Sequence, residues 1–377
     1  VTGGLYVPSF IGLGLPPASP LTVLDNSGTI NATAINLSAV EIRNSGTILA
    51  EGGDLLVNAG TFLNTGGSLN SVRNVIVNAS VADLAGLAGT IEGALTLNVT
   101  DELKDGGLEF PGFVETTYGL NLPIKPAVGD LPGSTFSIRA PDFVDVVSFW
   151  GAQDLGTTRS GFTNNASVGA LVLDVGVGGV VTFLPMEDKN AIYVDLLEIS
   201  DTMMSDITNT LVLGEGMTLY FATTSENVDP TSLDGFETIG GVTLRWVKEG
   251  SSPQIRLIDV ASGDGRTLRV PRSLRYSATI DSDGDGVVNA QDASPFDLVV
   301  VSQVTLTEDP DPTFEVQWNA AAGQTYEVQA TSNLVTGQWA PVKKVTNATG
   351  STQRLVLRDP VDPGAPMKAY RVVVSQP

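Results

Sequence analysis

One acidic segment of the chain combines residue types and a spacing that suit a hard divalent cation. In DSDGDGVVNAQD, residues 281–292, side-chain oxygens fall at positions 1, 3, 5, 9 and 12, and Gly286 stands at position 6, where such a loop turns. Ca2+ takes about six to eight oxygen ligands, and this spacing supplies them. The predicted ligands are the side chains of Asp281, Asp283, Asp285, Asn289 and Asp292 and the backbone carbonyl of Val287.

The same segment has a plain alternative, which is an acidic Asp-Gly turn that binds no metal. Four carboxylates so close together repel one another unless a cation neutralises them, and this favours the metal. Position 12 holds Asp instead of Glu, so bidentate ligation there is less well supported. Residues 281–297 resemble the calcium loops of dockerin modules and thrombospondin type 3 repeats. Because the chain has one such loop, the resemblance implies calcium ligation and not recognition of a cohesin.

The elements that position this loop are predicted to be β-strands. Short apolar clusters recur every 20 residues, at Ile35/Leu37, Leu55/Val57, Val75/Val77 and Leu95/Leu97. A fixed period indicates stacked identical units, and alternation within each cluster indicates a strand. The pattern predicts a β-solenoid, or parallel β-helix, in which Asn58, Asn78 and Asn98 stack as an amide ladder. The alternative is an ordinary antiparallel β-domain with accidental spacing.

The repeats also resemble a known class of protein. NSGTI occurs twice, NAGTF follows, and GALTLNVTDEL ends the series. On these motifs residues 21–107 resemble the β-helices of filamentous haemagglutinin-type and autotransporter-type secreted bacterial proteins. The resemblance implies export and a role in adhesion or surface fibres.

We expect an all-β chain of five parts. Residues 1–20 are an apolar, Gly- and Pro-rich extension that caps the first coil or enters a neighbouring subunit. The solenoid at 21–107 is followed by an irregular β-rich continuation or cap at 108–275 and by the calcium-loop linker at 276–298. Alternating strands predict a C-terminal β-sandwich of the immunoglobulin or fibronectin III type at 299–377. This last part resembles accessory modules of large secreted proteins of environmental bacteria, with Trp318, Tyr326, Trp339 and Tyr370 as core or interface aromatics.

Composition excludes several function classes. The chain has 42 acidic and 20 basic residues and a net charge of −22, which argues against nucleic acid or anionic membranes as partners. It has no cysteine and no histidine, so disulfides, Ser-His-Asp triads and His-based zinc sites are excluded. No apolar run is long enough for a transmembrane helix. Because residue 1 is Val, we expect a processed mature form or a fragment, and partly from the calcium motif we expect a secreted protein at the cell surface or outside the cell.

Three functions from different classes fit these features. The first is an extracellular structural or adhesive protein, a subunit of a fibre or filament that assembles through β-strand edges and is stiffened by Ca2+. Self-association is its main expected interaction, and a glycan or surface receptor is a further candidate partner. The second is a carbohydrate-binding module with Trp339 as its platform. The third is a β-helix polysaccharide-degrading enzyme, which needs two carboxylates across a sugar. The repeats lack an acidic cluster, and we expect no enzymatic activity.

Overall fold

The fold is that of a computed structural model. It describes residues 5–7, 11–13, 22–122, 129–186, 190–225, 228–238, 242–248, 255–261, 266–280, 282, 288–292, 295–296, 301–307, 312–320, 325–331, 340–348, 353–361 and 369–374. β-Strands dominate these residues, as the turn-rich and β-branched composition predicts.

Thirty strands follow one another in the part of the chain that the structure describes. Before residue 122 they are β1 (Leu5–Val7), β2 (Ile11–Leu13), β3 (Val23–Asn26), β4 (Thr29–Ala32), β5 (Ile35–Asn44), β6 (Thr47–Ala50), β7 (Leu55–Thr65), β8 (Ser68–Ser71), β9 (Val75–Ala85), β10 (Ala88–Ile91), β11 (Leu95–Lys104), β12 (Gly112–Thr116) and β13 (Leu120–Asn121) in the described residues. Up to residue 271 they are β14 (Leu131–Ala140), β15 (Asp145–Phe149), β16 (Val168–Val175), β17 (Val180–Leu184), β18 (Ala191–Ile199), β19 (Leu211–Leu213), β20 (Thr218–Thr224), β21 (Phe236–Thr238), β22 (Val242–Trp246), β23 (Leu257–Ala261) and β24 (Thr267–Pro271). The remainder are β25 (Val301–Thr307), β26 (Thr313–Ala320), β27 (Thr325–Thr331), β28 (Ala340–Thr346), β29 (Gln353–Pro360) and β30 (Ala369–Val374).

Helices are short. They are α1 (Asp201–Ser205), α2 (Ile207–Thr210), α3 (Pro230–Leu233) and α4 (Arg272–Arg275), with 3-10 turns at Gly107–Glu109 and Arg159–Phe162. The first two follow each other between β18 and β19. No helix in the described part of the chain is long and apolar enough to cross a membrane.

Two parallel sheets run through most of the chain. The larger has the order β1-β4-β6-β8-β10-β12-β14-β16-β18-β20-β22-β21, parallel except for the final β22–β21 pair. The smaller has the order β13-β11-β9-β7-β5-β2, with β3 also on β5. From β4 to β13 successive strands therefore alternate between the two sheets. The parallel sheet β15-β17-β19 follows, and a parallel bridge joins Leu122 beside β13 to Trp150 beside β15.

The apolar clusters lie where the 20-residue period predicts. Ile35 pairs with Leu55, Leu55 with Val75 and Val75 with Leu95, and the second members of the clusters pair in the same way. All of these residues are buried in one apolar cluster that extends through both sheets. Inward aliphatic side chains alternate with outward polar ones, which explains why the strands hold this register.

Residues 112–246 continue the larger sheet without the period. Paired residues are 20 apart at Leu55 and Val75, but 35 apart at Phe136 and Leu171. The sheet crosses the expected boundary at residue 107 without interruption, because β10 pairs with β12 in parallel. What persists is the inward alternation of large apolar residues, now including Phe136, Phe183 and Phe221.

Beyond residue 246 the described strands are antiparallel. β23 and β24 form a hairpin, and the last six strands form the sheets β25-β26-β29 and β28-β27-β30. One buried cluster contains residues from both of these three-stranded sheets, including Trp318 from β26 and Tyr326 from β27. Both aromatics are core residues, as expected, and Tyr370 is partly buried against the cluster. Trp339 lies outside the described residues.

Candidate functional site

The predicted metal loop is described only in part. Asn289 and Asp292 are buried, with 0% and 4% of their surfaces exposed. The other predicted ligands, Asp281, Asp283, Asp285 and Val287, lie outside the described residues. Within the described residues no group of three or more His, Cys, Asp or Glu side chains is placed to hold a metal ion. The complete ligand set is therefore a prediction from the sequence.

Asn289 is a fixed point of this segment. Its amide nitrogen donates to the Leu274 carbonyl at 2.9 Å and to Ser282 Oγ at 2.8 Å, and its amide oxygen accepts from Ser282 N–H at 2.9 Å. Its backbone N–H donates to the Ile280 carbonyl at 2.8 Å. Among the described residues, Ser282 N–H is the donor to this amide oxygen, and a carbonyl oxygen can accept two hydrogen bonds. Position 9 of a calcium loop often reaches Ca2+ through water, which is the role that the sequence predicts for Asn289.

Residues on both sides of the loop contact the parallel sheets. Ile280, just before it, lies against the glycine corners of the repeats: a Cβ added to Gly86 would be 3.3 Å from Ile280 Cδ1. Gly66 and Gly86 have φ of +71° and +63°, a conformation that glycine adopts without strain. Phe296, after the loop, packs edge-on against Phe113 of β12 with ring centroids 5.7 Å apart. The segment is thereby anchored on the sheets at both ends.

The hairpin before the loop crosses the outer face of the larger sheet. Arg266 lies 2.8 Å from the largely buried carboxylate of Glu115 on β12, and Arg269 lies 3.2 Å from that of Glu198 on β18. These two strands are three positions apart in the sheet. Between them Ile255 packs on Ala170 of β16. The hairpin is thus held across several strands by charge pairs of Arg266, beside its turn, and Arg269, in its middle, and by the apolar contact of Ile255 just before its first strand.

A shallow groove follows the outer surface of the smaller sheet. Asn58, Asn78 and Asn98 form the predicted ladder: the Asn98 amide donates to Asn78 and the Asn78 amide donates to Asn58, each at 2.8 Å. Asn58 continues the ladder to Asn36 at 3.1 Å. The groove has a volume of about 550 Å3 and is lined by Ser38, Ala39, Asn58, Ala59, Asn78, Ala79, Ser80, Asn98 and Thr100. None of these side chains is charged.

A second amide ladder is buried at a corner of the repeats, and sequence reasoning missed it. Asn26 donates to Asn44 at 2.8 Å, Asn44 donates to Asn64 at 2.9 Å, and Asn64 donates to the Gly67 carbonyl at 3.0 Å. The signal for it is the recurrence of Asn-Ser-Gly or Asn-Thr-Gly, which begins at each of these three asparagines. Asparagine suits such corners because its backbone tolerates turn conformations. Here its side chain also satisfies a buried carbonyl group, that of Gly67.

Two carboxyl groups of the irregular region, Asp130 and Asp195, interact through their charges. The Asp130 carboxylate accepts backbone N–H groups from Asn165 at 2.9 Å and Ser167 at 3.0 Å. Burial, together with the nearby Asp130 charge, raises the pKa of Asp195 to about 7. A carboxyl group whose pKa is raised in this way is suited to acid–base chemistry, although buried structural carboxyl groups show the same shift.

Several asparagines of Asn-X-Ser/Thr motifs, the acceptor sequence for N-glycosylation, are engaged inside the fold. Asn165 donates to the Gln153 carbonyl and Asn347 to the Ala320 carbonyl, and both side chains are buried. Asn36, Asn78 and Asn98 belong to the outer ladder. Asn165 uses both amide N–H groups in hydrogen bonds, so a glycan on its nitrogen would displace one of them.

Comparison with known proteins gives no relative from which a role can be carried over. No protein-family model, no curated protein and no solved structure matches the chain.

Proposed function

We propose that this chain is an extracellular structural or adhesive protein built on a β-solenoid. The observation that carries the proposal is the alternation of successive strands between two parallel sheets that share one apolar cluster. Such a stack is a stiff, quasi-one-dimensional scaffold. The ten strands of the larger sheet from β4 to β22 span nine intervals of about 4.8 Å, or about 43 Å in all.

We propose that residues 281–292 bind Ca2+ and fasten the hairpin and the C-terminal part to this scaffold. The ligand spacing and the anchoring of Ile280 and Phe296 on the sheets support this role. A single loop of the extracellular type has a dissociation constant of roughly 0.1–1 mM. At about 1 mM Ca2+ it adds only ~0.4–1.4 kcal/mol of stability, so its effect is local stiffening.

We propose that self-association uses the end of the larger sheet at β1. That strand is the first in the sheet order, and strand addition at a sheet end is a general mode of assembly. The opposite end of the order is the antiparallel strand β21. A further parallel coil does not continue the register of an antiparallel strand, so this arrangement favours limited association at β1 over unlimited stacking.

Sedimentation velocity and negative-stain microscopy test the proposal. We expect elongated particles for the full chain, a shift to smaller species when residues 1–20 are deleted, and greater bending at the joint in a chelator. Compact particles under all conditions would contradict the solenoid scaffold. Particles of unchanged length after the deletion would contradict assembly through the N-terminal segment.

The alternative of a polysaccharide-degrading enzyme has one candidate pair, Asp130 and Asp195. Release of reducing ends or unsaturated sugars from a panel of neutral and uronate polymers tests it. Activity that Asp195→Asn abolishes would favour the enzyme over the scaffold, whereas we expect no release from any polymer.

A further inference from the structure

We propose that the groove along the outer amide ladder binds a linear, neutral polysaccharide chain. Such binding goes beyond the scaffold function and depends on neither assembly nor Ca2+.

The lining of the groove carries hydrogen-bonding groups that match those of a sugar. Each ladder amide offers two N–H donors and one carbonyl acceptor, and the ladder uses one donor of Asn58, Asn78 and Asn98. Ser80 and Thr100 add hydroxyl groups on the same surface. Sugar hydroxyl groups both donate and accept, so they match a surface that carries donors and acceptors side by side.

Small residues follow the ladder positions along each strand. Ala39, Ala59 and Ala79 occupy equivalent positions on adjacent strands, immediately after Ser38, Asn58 and Asn78. Ala39 and Ala79 are buried in the apolar core and Ala59 packs against it, so the polar side chains supply most of the contact surface of the groove. The small side chains at these positions leave the volume of about 550 Å3 open.

Charge favours a neutral ligand over an acidic one. The lining holds no charged side chain, in a chain whose net charge is −22. This field repels polyanions such as uronate polymers and nucleic acids. A neutral polysaccharide meets no such repulsion. Because the lining is uncharged, binding of the polysaccharide leaves no buried charge without a partner.

Repetition of the amides favours a polymer over a small molecule. The amides recur once per strand, about every 4.8 Å along the sheet. A single small molecule would use one such unit, whereas a linear polymer uses several at once. Weak contacts to each amide then add up along the polysaccharide.

Affinity electrophoresis provides the test, with a neutral glucan, mannan or xylan in the gel and with alginate or polygalacturonate for comparison. We expect at least one neutral polymer to retard the full chain and both acidic polymers to leave it unaffected. The double variant Asn58→Ala/Asn78→Ala should weaken retardation at least tenfold. Asn74→Ala is the matched control. Asn74 lies at a different corner of the repeat from the groove, and its amide donates to Asp54 of the preceding repeat.

A second variant covers loss of folding in the first. Ser80→Ala/Thr100→Ala leaves the ladder intact and should weaken retardation about threefold. The proposal is wrong if no neutral polymer retards the chain, if acidic polymers retard it equally, or if Asn74→Ala weakens binding as much as the ladder variant. Retardation that persists in chelator and in the chain lacking residues 1–20 is expected, which separates this site from the proposed assembly and calcium binding.

Discussion

Residues 35–104 and residues 112–246 share the larger parallel sheet but hold their strands together differently. In the first region equivalent residues pair at 20-residue intervals, and amide ladders run along the surface and along a buried corner. In the second the intervals vary, and aromatic contacts replace the ladders, such as the stacked rings of Tyr193 and Tyr220 with centroids 4.6 Å apart. The stack therefore depends on inward apolar alternation, whereas the period depends on the side chains at the corners.

Breaking the buried ladder of Asn26, Asn44 and Asn64 should have the largest effect on the free energy of unfolding. Asn44→Ala removes the acceptor for Asn26 and the donor for Asn64, all of them buried. One N–H of Asn26 and the amide oxygen of Asn64 then lose their buried partner, although Asn26 keeps its bond to the Thr47 carbonyl. These losses should lower the free energy of unfolding by about 4 kcal/mol. Urea denaturation measures the change. Asn74→Ala removes a more exposed amide, which donates to Asp54, and should lower the free energy of unfolding by less than about 1 kcal/mol. Equal losses in the two variants would show that burial of the ladder is not what matters.

The sequence predicts the regular region well and the irregular region poorly, for a physical reason. Equal repeat lengths give a visible period, and the clusters from Ile35/Leu37 to Leu95/Leu97 stack as that period predicts. The longer connection between Phe136 and Leu171 breaks the period, so strands β14 and β16 are recognisable one by one but their pairing is not. The outer ladder follows from a period, while the acidic pair Asp130 and Asp195 is 65 residues apart in the chain and follows from tertiary structure alone.

The pH dependence of stability distinguishes residues 112–246 from the repeats. The folded-state pKa of Asp195, about 7, lies above the value near 3.9 of an unfolded chain, so the folded state holds the proton more tightly. Stability is therefore expected to fall as pH rises from about 4 to about 7, and to change no further above that range. The loss should be about 3 kcal/mol, and Asp195→Asn should remove it. Unfolding free energies at pH 4.5 and pH 8 test this; an unchanged pH dependence in the variant would contradict it.

Calcium should affect the junction of the two regions by a smaller amount. Ile280 contacts the repeat corners and Phe296 contacts β12, where the irregular region begins. Saturating Ca2+ should add about 1 kcal/mol to stability and slow hydrogen exchange in residues 266–280. Asp283→Asn/Asp285→Asn should abolish both effects. Protection that persists in this variant would place the calcium elsewhere.

The outer ladder should contribute least to stability. Asn78→Ala removes the hydrogen bonds that join Asn78 to Asn58 and to Asn98 at the partly exposed surface of the smaller sheet. Water then replaces the lost amide as the partner of both neighbours. We expect a loss of about 0.5 kcal/mol by urea denaturation, with the secondary structure unchanged. A loss as large as that of Asn44→Ala would mean that the surface ladder, and not the buried one, supports the repeats.

Engineered disulfides test most directly whether the irregular region continues the parallel stack. The chain has no cysteine, and Val147 on β15 pairs with Thr182 on β17, 35 residues further on. Val147→Cys/Thr182→Cys should form a disulfide nearly completely on mild oxidation, as mass spectrometry of unreduced peptides would show, because paired Cα atoms lie within disulfide range. Val147→Cys/Val180→Cys, displaced by two residues along β17, should form little. Equal cross-linking of the two variants, or none in the first, would contradict the continuous parallel stack.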